Sequence, residues 1–583
     1  MHLNQLGFHP AGSKLAVVVT DAAAGLPWQL RDSSGTTLAS GMTTRFGLNT
    51  GSGQNVHRAD FSSFNVEGDS FVIAVDGVVS EPFDIRARVF ADLKFSVLNF
   101  FYQQRSATPI EMPYAGGAEW TRPAGHPLDL GSCYGPIDFR GNNWGGCPYT
   151  LDTTGGWYDA GDHGKYVVNS GISVWTLLNY YERSLTRPAA AATVADGAVP
   201  IPENANGQPD LLDEARYNLE FMLAMQVPDG TTLTLPLGNQ SGNVNALVFT
   251  SVDASGMAHH KMHDEYWTGI PQAPHLDPAD RYLSYPSTAA TLNLAATAAQ
   301  CARLWAGIDQ PFADRCRIAA ERAYAAAIRV PGARAYDVTN GGGGGYGDSF
   351  LDDEFYWAAT ELFITTGESS YANAMRASGF FLDAPRDIGW PSTHALGNLS
   401  LLVAASNLTN AEQTTLRANL AQLADEYLAA ETGEGYRIPY SGSYYWGSNS
   451  TFANIGIVLG LAFDVSGDER YRQGVVDAID YLLGRNPLNK SYVSGYGENP
   501  LSNPHHRFWA HSADPSFPGP PPGALAGGSN YSAPADSVAA AIYATCMPQT
   551  CYRDDIDAYS LNEVAINWNA PLFWIAAFLD ERP

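Results

Sequence analysis

A glycine-flanked segment carries two aspartates three residues apart. Asp159 and Asp162 lie in the run 155–164 (GGWYDAGDHG), just before a helix-like stretch. This spacing can aim both carboxylates at one small volume, where one holds a water molecule and the other fixes its orientation. Because neighbouring carboxylates repel, the pKa of one can rise towards that of a useful general base. An N-cap followed by a first-turn acid explains the same residues equally well.

A second polar group lies late in the chain, in the run 503–509 (NPHHRFW). His505 and Arg507 are hydrogen-bond donors suited to sugar hydroxyls, and Trp509 offers a flat apolar face. A surface loop with salt bridges is the alternative reading of this run.

A glutamate near the C-terminus stands among apolar and amide side chains. Glu563 lies in the run 559–571 (YSLNEVAINWNAP). An apolar setting favours the protonated form of a carboxyl group, which a general acid needs. A capping glutamate at a helix start is the alternative.

A third acidic group is the run 348–354 (DSFLDDE). Carboxylates beside a hydroxyl are ligands that suit calcium, although an acidic helix start has the same composition.

Other motifs argue against alternative chemistries. His259 and His263 have the spacing of a helical zinc pair, but no glutamate follows the first histidine and the context resembles a substrate loop. The glycines 341–345 lack the Gly-Lys-Ser/Thr ending of a phosphate loop. No Gly-x-Ser-x-Gly elbow is present, and no cysteine has a local base, which disfavours serine and cysteine hydrolases.

The elements that would position these residues change character near residue 88. Residues 1–88 read as short strands with turns, including 14–20 (KLAVVVT) and a hairpin at Asp76-Gly77, and predict an immunoglobulin-sized β-sandwich. Residues 89–583 show helical periodicity and predict a large α-helical domain of about a dozen helices with long loops. Ser287-Thr288 before a run of alanines predicts a capped helix start.

Composition narrows the classes of partner. The 583 residues carry 33 Lys+Arg and 60 Asp+Glu, a net charge of −27, which disfavours nucleic acid and anionic membranes as partners. No run approaches the length of a membrane helix. The six cysteines fall in sequence-local pairs, which favours disulfides and an exported protein, although buried thiols remain the alternative. The first residues lack the pattern of a secretory signal, so a periplasmic or cytoplasmic protein stays open.

Taken together, the motifs resemble glycoside hydrolase family 9, a family of inverting cellulases. The order matches: Asp-Ala-Gly-Asp at 159–162, Pro-His-x-Arg at 504–507 and NEVAINWNAP at 562–571. The runs 202–207 (PENANG) and 446–450 (WGSNS) fit as well, and the opening 4–8 (NQLGF) resembles the immunoglobulin-like domain of one subgroup.

This resemblance implies an (α/α)6 barrel of residues 89–583 preceded by the β-sandwich of residues 1–88. It implies Asp162 as general base, aided by Asp159, and Glu563 as general acid. His505 and Arg507 would bind the sugar, and Asp554 would support them. Inversion requires about 6.5–9.5 Å between acid and base, so we expect these two side chains to face each other across a groove that admits one water molecule.

The resemblance also suggests ligand contacts and ions. Aromatic and neighbouring residues in motif context would contact sugar rings: Trp267, Trp357, Trp446, Tyr559 and His163. Ser349, Asp353 and Glu354 match a calcium motif of some relatives, without the acidic ligand that they supply downstream. Cys133 and Cys147 lie where some relatives bind zinc, but no histidine adjoins them, so we expect a disulfide there. The chemistry itself needs no cofactor.

The leading hypothesis is therefore a monomeric, secreted endo-β-1,4-glucanase that hydrolyses cellulose or related β-glucans with inversion. An exo-acting relative, such as a cellodextrinase, β-glucosidase or exo-β-glucosaminidase, shares these motifs. A carbohydrate-binding protein without catalysis is the hypothesis from another class, and the presence of both Asp162 and Glu563 disfavours it.

Overall fold

The computed structural model describes residues 1–581, which form two compact units. One unit comprises Met1–Phe100 and the chain from Leu420 onward, and the other comprises Phe101–Asn419. Within the described residues, no helix combines the length and apolar character needed to cross a membrane.

The first unit begins with a β-sandwich. Its strands are β1 (Gly7–Phe8), β2 (Leu15–Val19), β3 (Pro27–Arg31), β4 (Thr37–Met42), β5 (Thr44–Asn49), β6 (Gln54–Asp60), β7 (Gly68–Val75), β8 (Val78–Val79) and β9 (Phe83–Ile85). One sheet has the order β1-β9-β7-β3-β4 with β8 on β7, and the other has the order β2-β6-β5. Buried aromatic rings fill the space between them, with Phe8 in edge contact with Phe61 and Phe83.

The predicted hairpin at Asp76-Gly77 is present and joins β7 to β8. Asp76 has φ 49° and Gly77 has φ 80°, so both turn residues are left-handed. That geometry matches the right-handed twist of the flanking strands and explains the Asp-Gly pair.

The helices of this unit follow in the C-terminal part of the chain. They are α11 (Ser448–Ser466), α12 (Glu469–Leu482), α13 (Ser537–Tyr543), α14 (Tyr559–Asn562) and α15 (Ile566–Asp580). Helices α1 (Ala91–Gln103) and α10 (Asn410–Thr432) each include residues of both units. Helices α11 and α15 pack closely because glycines face large side chains: Gly456 meets Ile575, and Gly460 meets Trp574.

Hydrogen bonds tie the sandwich to the helical part of the same unit. The buried Asn4 donates from Nδ2 to Asp480 Oδ1 over 2.8 Å. Gln5 Oε1 accepts from the main-chain N–H groups of Glu498 and Asn499, at 2.9 and 3.0 Å. The two parts of this unit are therefore joined by buried polar contacts.

The second unit holds helices and short strands. Its helices are α2 (Val167–Ser184), α3 (Pro188–Val194), α4 (Asp210–Ala224), α5 (Thr288–Leu304), α6 (Gln310–Arg329), α7 (Asp352–Thr366), α8 (Ser369–Ala377) and α9 (His394–Val403). Its strands are β10 (Leu130–Gly131), β11 (Leu151–Asp152), β12 (Lys165–Tyr166), β13 (Thr232–Pro236), β14 (Phe249–Asp253), β15 (Ala258–His259), β16 (Lys261–Asp264), β17 (Arg281–Leu283) and β18 (Pro286–Ser287). The predicted cap is present: the Ser287 side chain accepts from the N–H of Ala290.

The cysteines pair as Cys133–Cys147, Cys301–Cys316 and Cys546–Cys551. This is the pairing that their sequence proximity predicts, and it includes the disulfide expected between Cys133 and Cys147.

Candidate active site

Asp159 is fully buried at the end of the loop that precedes β12. Asn169, on the first turn of α2, donates from Nδ2 to both carboxylate oxygens at 2.9 and 3.0 Å. The Tyr346 hydroxyl donates to Oδ2 at 2.7 Å. Burial, followed by the charge of Asp162, raises the pKa of Asp159 to about 7. At neutral pH this carboxyl group is therefore partly protonated.

Asp162 is bonded in a different way. Its Oδ2 accepts from the Tyr166 hydroxyl at 2.6 Å and from the Gly164 N–H at 3.1 Å. Within residues 1–581, both of these hydrogen bonds fall on Oδ2 and none falls on Oδ1. One oxygen is thus fixed while the other can accept from a further donor.

His163 is 2% exposed, and its Nδ1 forms a close hydrogen bond with Asp277. Its main-chain oxygen accepts from Arg281 Nη1 at 2.8 Å. Through these two contacts His163 anchors the segment that carries Asp162, and its contact with a sugar stays a prediction.

In the other unit, the segments of His505 and Glu563 adjoin each other. The main-chain N–H of His505 donates to Asn562 O at 3.0 Å, and the two segments form a short parallel bridge. His505 Nδ1 lies 2.6 Å from the Ile556 carbonyl oxygen. Because a carbonyl can only accept, Nδ1 carries a proton and donates it to Ile556 O. The predicted general acid, Glu563, and the predicted sugar-binding residue, His505, are therefore held by the same local backbone structure.

The carboxylate of Asp554 connects these two segments. Its Oδ1 accepts from Asn503 N–H at 2.8 Å and from Asn562 Nδ2 at 3.0 Å. Its Oδ2 pairs with Lys490 Nζ at 2.7 Å. Asp554 thus links Asn503 and Asn562, which lie shortly before His505 and Glu563 in the chain. Arg507, in the same segment, is 4% exposed.

Three of the predicted stacking residues are accessible and one is not. Trp446 is 41% exposed and packs against the Tyr559 ring, with centroids 5.6 Å apart. Trp267, in the second unit, is 49% exposed. Trp357 is fully buried on α7 and donates from Nε1 to Glu361 at 3.2 Å. The prediction that Trp357 contacts substrate is therefore wrong, since it belongs to the core.

The predicted calcium motif forms a buried acidic cluster. Asp353 and Glu354 are 2% and 0% exposed, and Asp348 lies against Glu354. Burial and the charges of Asp353 and Asp348 hold the pKa of Glu354 well above its usual range. Within residues 1–581, four carboxylate oxygens lack a hydrogen-bond partner: Asp348 Oδ2, Asp353 Oδ1 and both oxygens of Glu354. Buried, unpaired carboxylate oxygens suit a hard cation.

Ser349, the first residue of the predicted motif, is exposed. Asp348 beside it was not singled out as a ligand, although its carboxylate faces the cluster.

Two other groups in residues 1–581 bring potential metal ligands within 4.8 Å of one another: Cys133, Cys147 and His259, and His126, His163 and Asp277. In the first group the cysteines are joined and both ring nitrogens of His259 have partners, Ser284 O and Tyr149 Oη. This set does not fit a metal ion. In the second group hydrogen bonds occupy Nδ1 of both histidines.

Sequence profiles match the chain over most of its length. The profile described as glycosyl hydrolase family 9 matches residues 90–576, and the one described as cellulase N-terminal ig-like domain matches residues 1–80. The chain belongs to glycosyl hydrolase family 9. The predicted family and the class of O-glycosyl hydrolase are confirmed, as is the fold class at the level of a helical family 9 domain behind an all-β N-terminal domain.

Named relatives agree with this membership. Cellulose 1,4-beta-cellobiosidase of Acetivibrio thermocellus is 43% identical over 619 residues, covering 100% of this chain and 67% of the relative. Endoglucanase C of Cellulomonas fimi is 43% identical over 603 residues, covering 100% of this chain and 52% of the relative. This family 9 chain therefore spans about two thirds of the length of the cellobiosidase and about half of the length of endoglucanase C.

A solved structure shows the same architecture. The structure described as Bacteroides ovatus GH9 superimposes with a TM-score of 0.82 at 31% identity, covering 100% of this chain and 98% of that one. The family 9 fold therefore extends over the whole described chain.

Proposed function

We propose that this family 9 hydrolase cleaves internal β-1,4 bonds of cellulose or related β-glucans with inversion, and that Asp162 is the general base. One observation carries the assignment of the base: Asp159 has both oxygens engaged, whereas Asp162 has its hydrogen bonds on Oδ2. Asp162 Oδ1 can therefore accept a proton from the attacking water. Asp159, whose pKa is about 7, helps to hold that water.

Glu563 is the proposed general acid. Inversion needs a carboxyl group that protonates the leaving oxygen while the base activates water on the opposite face of the sugar. His505 would bind a sugar hydroxyl from the same segment, which its Nδ1 contact with Ile556 O fixes in place. Arg507 supplies further donors from the same segment, and Asp554 holds the segment in place.

Sugar rings would stack on exposed aromatic faces. Trp446 and Tyr559 form one such surface in the first unit, and Trp267 offers another in the second unit. Stacking on flat apolar rings suits the axial C–H faces of glucosyl units. The acidic net charge of −27 suits a neutral polysaccharide better than an anionic one.

A structural calcium ion is proposed at Asp348, Asp353 and Glu354. The site fits the ion because four buried carboxylate oxygens have no partner among residues 1–581. The ion would supply the positive charge that these carboxylates lack and would fix the start of α7. Ser349 stays a predicted ligand. We assign no chemical step to the ion.

We further propose a secreted protein that acts as a monomer. The three disulfides support secretion, since such bonds persist in oxidising compartments.

An exo-acting cellobiosidase is the second candidate. The observation that favours it is the similarity to the cellobiosidase of A. thermocellus, which equals the similarity to endoglucanase C.

The mode of action is tested by product analysis. On carboxymethylcellulose an endo-enzyme lowers viscosity long before reducing ends accumulate, whereas an exo-enzyme releases cellobiose at nearly constant viscosity. Proton NMR during the first minutes on cellopentaose reports the anomer formed. Initial α-product supports inversion, and initial β-product would refute it.

A further inference from the structure

The glycine run 341–345, which the sequence leaves without a function, contacts the segment of the proposed base. We propose that Tyr166 is a positioning residue for Asp162, and that Lys261 and the glycine run hold Tyr166 in register. This inference rests on the proposed function of Asp162. It gives the glycine run a role in catalysis without any phosphate ligand.

The Tyr166 hydroxyl joins the two parts. It is 1% exposed, and its oxygen lies 2.6 Å from Asp162 Oδ2 and 2.8 Å from the N–H of Gly344. Because the N–H of Gly344 can only donate, it occupies a lone pair of the hydroxyl. The single hydroxyl proton is therefore directed to Asp162.

Glycine is required where this hydroxyl sits. A Cβ on Gly164 would lie 2.3 Å from the Tyr166 hydroxyl oxygen. A Cβ on Gly343 would lie 3.0 Å from that oxygen and 3.0 Å from His263 Cβ. The absence of side chains at both positions lets two stretches of backbone close on one hydroxyl.

Lys261 holds the glycine run from the other side. Its Nζ donates to Gly344 O at 2.7 Å and pairs with Asp337 at 3.1 Å. Tyr166 and Lys261 are direct partners in the antiparallel pairing of β12 with β16. The same cross-strand pair thus takes hold of Gly344 at both its N–H and its carbonyl group.

The consequence for Asp162 is a fixed carboxylate plane. With Oδ2 held, Oδ1 keeps one direction towards the attacking water, which is the positioning that proton transfer needs. The charged and titratable groups that face Asp162 are Asp159, Tyr166 and Lys261. The hydrogen bond from Tyr166 and the nearby charge of Lys261 both stabilise a negative carboxylate.

Tyr166→Phe tests the proposal, because it removes only the hydroxyl. Loss of one hydrogen bond to a charged group predicts a fall of about 10- to 100-fold in kcat, with KM within about twofold. The acidic limb of the kcat profile should move to higher pH, since the ionised base loses a donor. A purely structural role would lower the melting temperature without moving this limb.

Tyr285→Phe is the matched control. The Tyr285 hydroxyl also donates to an oxygen, Tyr134 O at 3.0 Å, and accepts from a backbone N–H, that of Gly146 at 3.0 Å. It touches neither proposed catalytic aspartate, so we expect kcat and the pH profile of this variant to match the wild type.

Lys261→Met is the second variant, for the case that Tyr166→Phe does not fold. It should move the acidic limb in the same direction. A folded Tyr166→Phe protein with wild-type kcat and an unmoved limb, or a folded Lys261→Met protein with an unmoved limb, would overturn the positioning role. Asp162→Asn separates this inference from the proposed function: wild-type turnover in that variant would refute the base assignment itself.

Discussion

Asn562 donates a hydrogen bond from Nδ2 to Asp554 Oδ1 over 3.0 Å, directly before the proposed acid Glu563. The same carboxylate oxygen accepts from the N–H of Asn503, two residues before His505. Asp554 therefore positions both the segment of the proposed acid Glu563 and the segment of the proposed sugar-binding residue His505.

Asp554→Ala should lower kcat on cello-oligosaccharides by about 10- to 1,000-fold, because both segments lose a charged acceptor at once. Steady-state kinetics on cellopentaose measure this change. Asp514→Ala is the control, since Asp514 caps the exposed N–H of Ser516 in a surface turn. Equal kinetics in the two variants would show that Asp554 supports neither segment.

Glu563→Ala should lower turnover of polymeric β-glucan by several orders of magnitude, because the leaving oxygen is no longer protonated. With 2,4-dinitrophenyl β-cellobioside the loss should be far smaller, since that leaving group departs as a stable anion. Parallel assays of both substrates measure the difference.

Asp162→Asn is the counterpart of this variant. It should lose activity on both substrates to a similar extent, because the water still needs a base. If Glu563→Ala instead slows both substrates alike, the acid role is wrong.

Asp159 should make the folded protein less stable as the pH rises. Its pKa is about 7 in the folded state against 3.8 for an ordinary aspartate, so the folded state binds more protons between these values. Its stabilising contribution is therefore complete below about pH 4 and is lost as the pH rises towards 7.

Asp159→Asn removes the titrating carboxyl group. The melting temperature of this variant should therefore fall less than that of the wild type between pH 4 and pH 7. Thermal melts at both values test this. Identical pH dependence would show that Asp159 does not titrate in this range.

Calcium removal should destabilise the protein through the acidic cluster. EDTA should lower the melting temperature by several degrees, because Asp353 and Glu354 are then buried without a counter-charge. In Glu354→Gln, EDTA should lower the melting temperature by less than in the wild type. Isothermal titration of this variant with calcium should show no heat of binding. Asp352→Asn, at an exposed neighbouring position, is the control. An unchanged melt of the wild type in EDTA would contradict the site.

Periodicity and turn chemistry predicted the long elements well. The capped start predicted at Ser287-Thr288 is where α5 (Thr288–Leu304) begins, since a serine before an alanine-rich run defines that end. The short helices α3, α8 and α13 have seven to nine residues each, which is too few for a periodic pattern to predict their positions.

The motifs predicted the two aspartates, but not the side chains that control them. Tyr166 and Tyr346 are 180 positions apart in sequence, and only the fold brings their rings to 4.8 Å. For Trp357 the motif predicted a substrate contact, but the side chain is buried in the core. A position in a motif does not reveal which way an indole faces. No local pattern distinguishes these cases.

The Asn4–Asp480 contact bears on how this protein can be engineered. The N-terminal sandwich supplies a hydrogen bond to a buried aspartate, Asp480, whose pKa burial raises to about 7. Deleting the sandwich, or swapping in one from a relative that lacks this asparagine, would open the C-terminal helices to solvent at that point. The junctions of a chimera should therefore be chosen so that Asn4 and Asp480 are both retained.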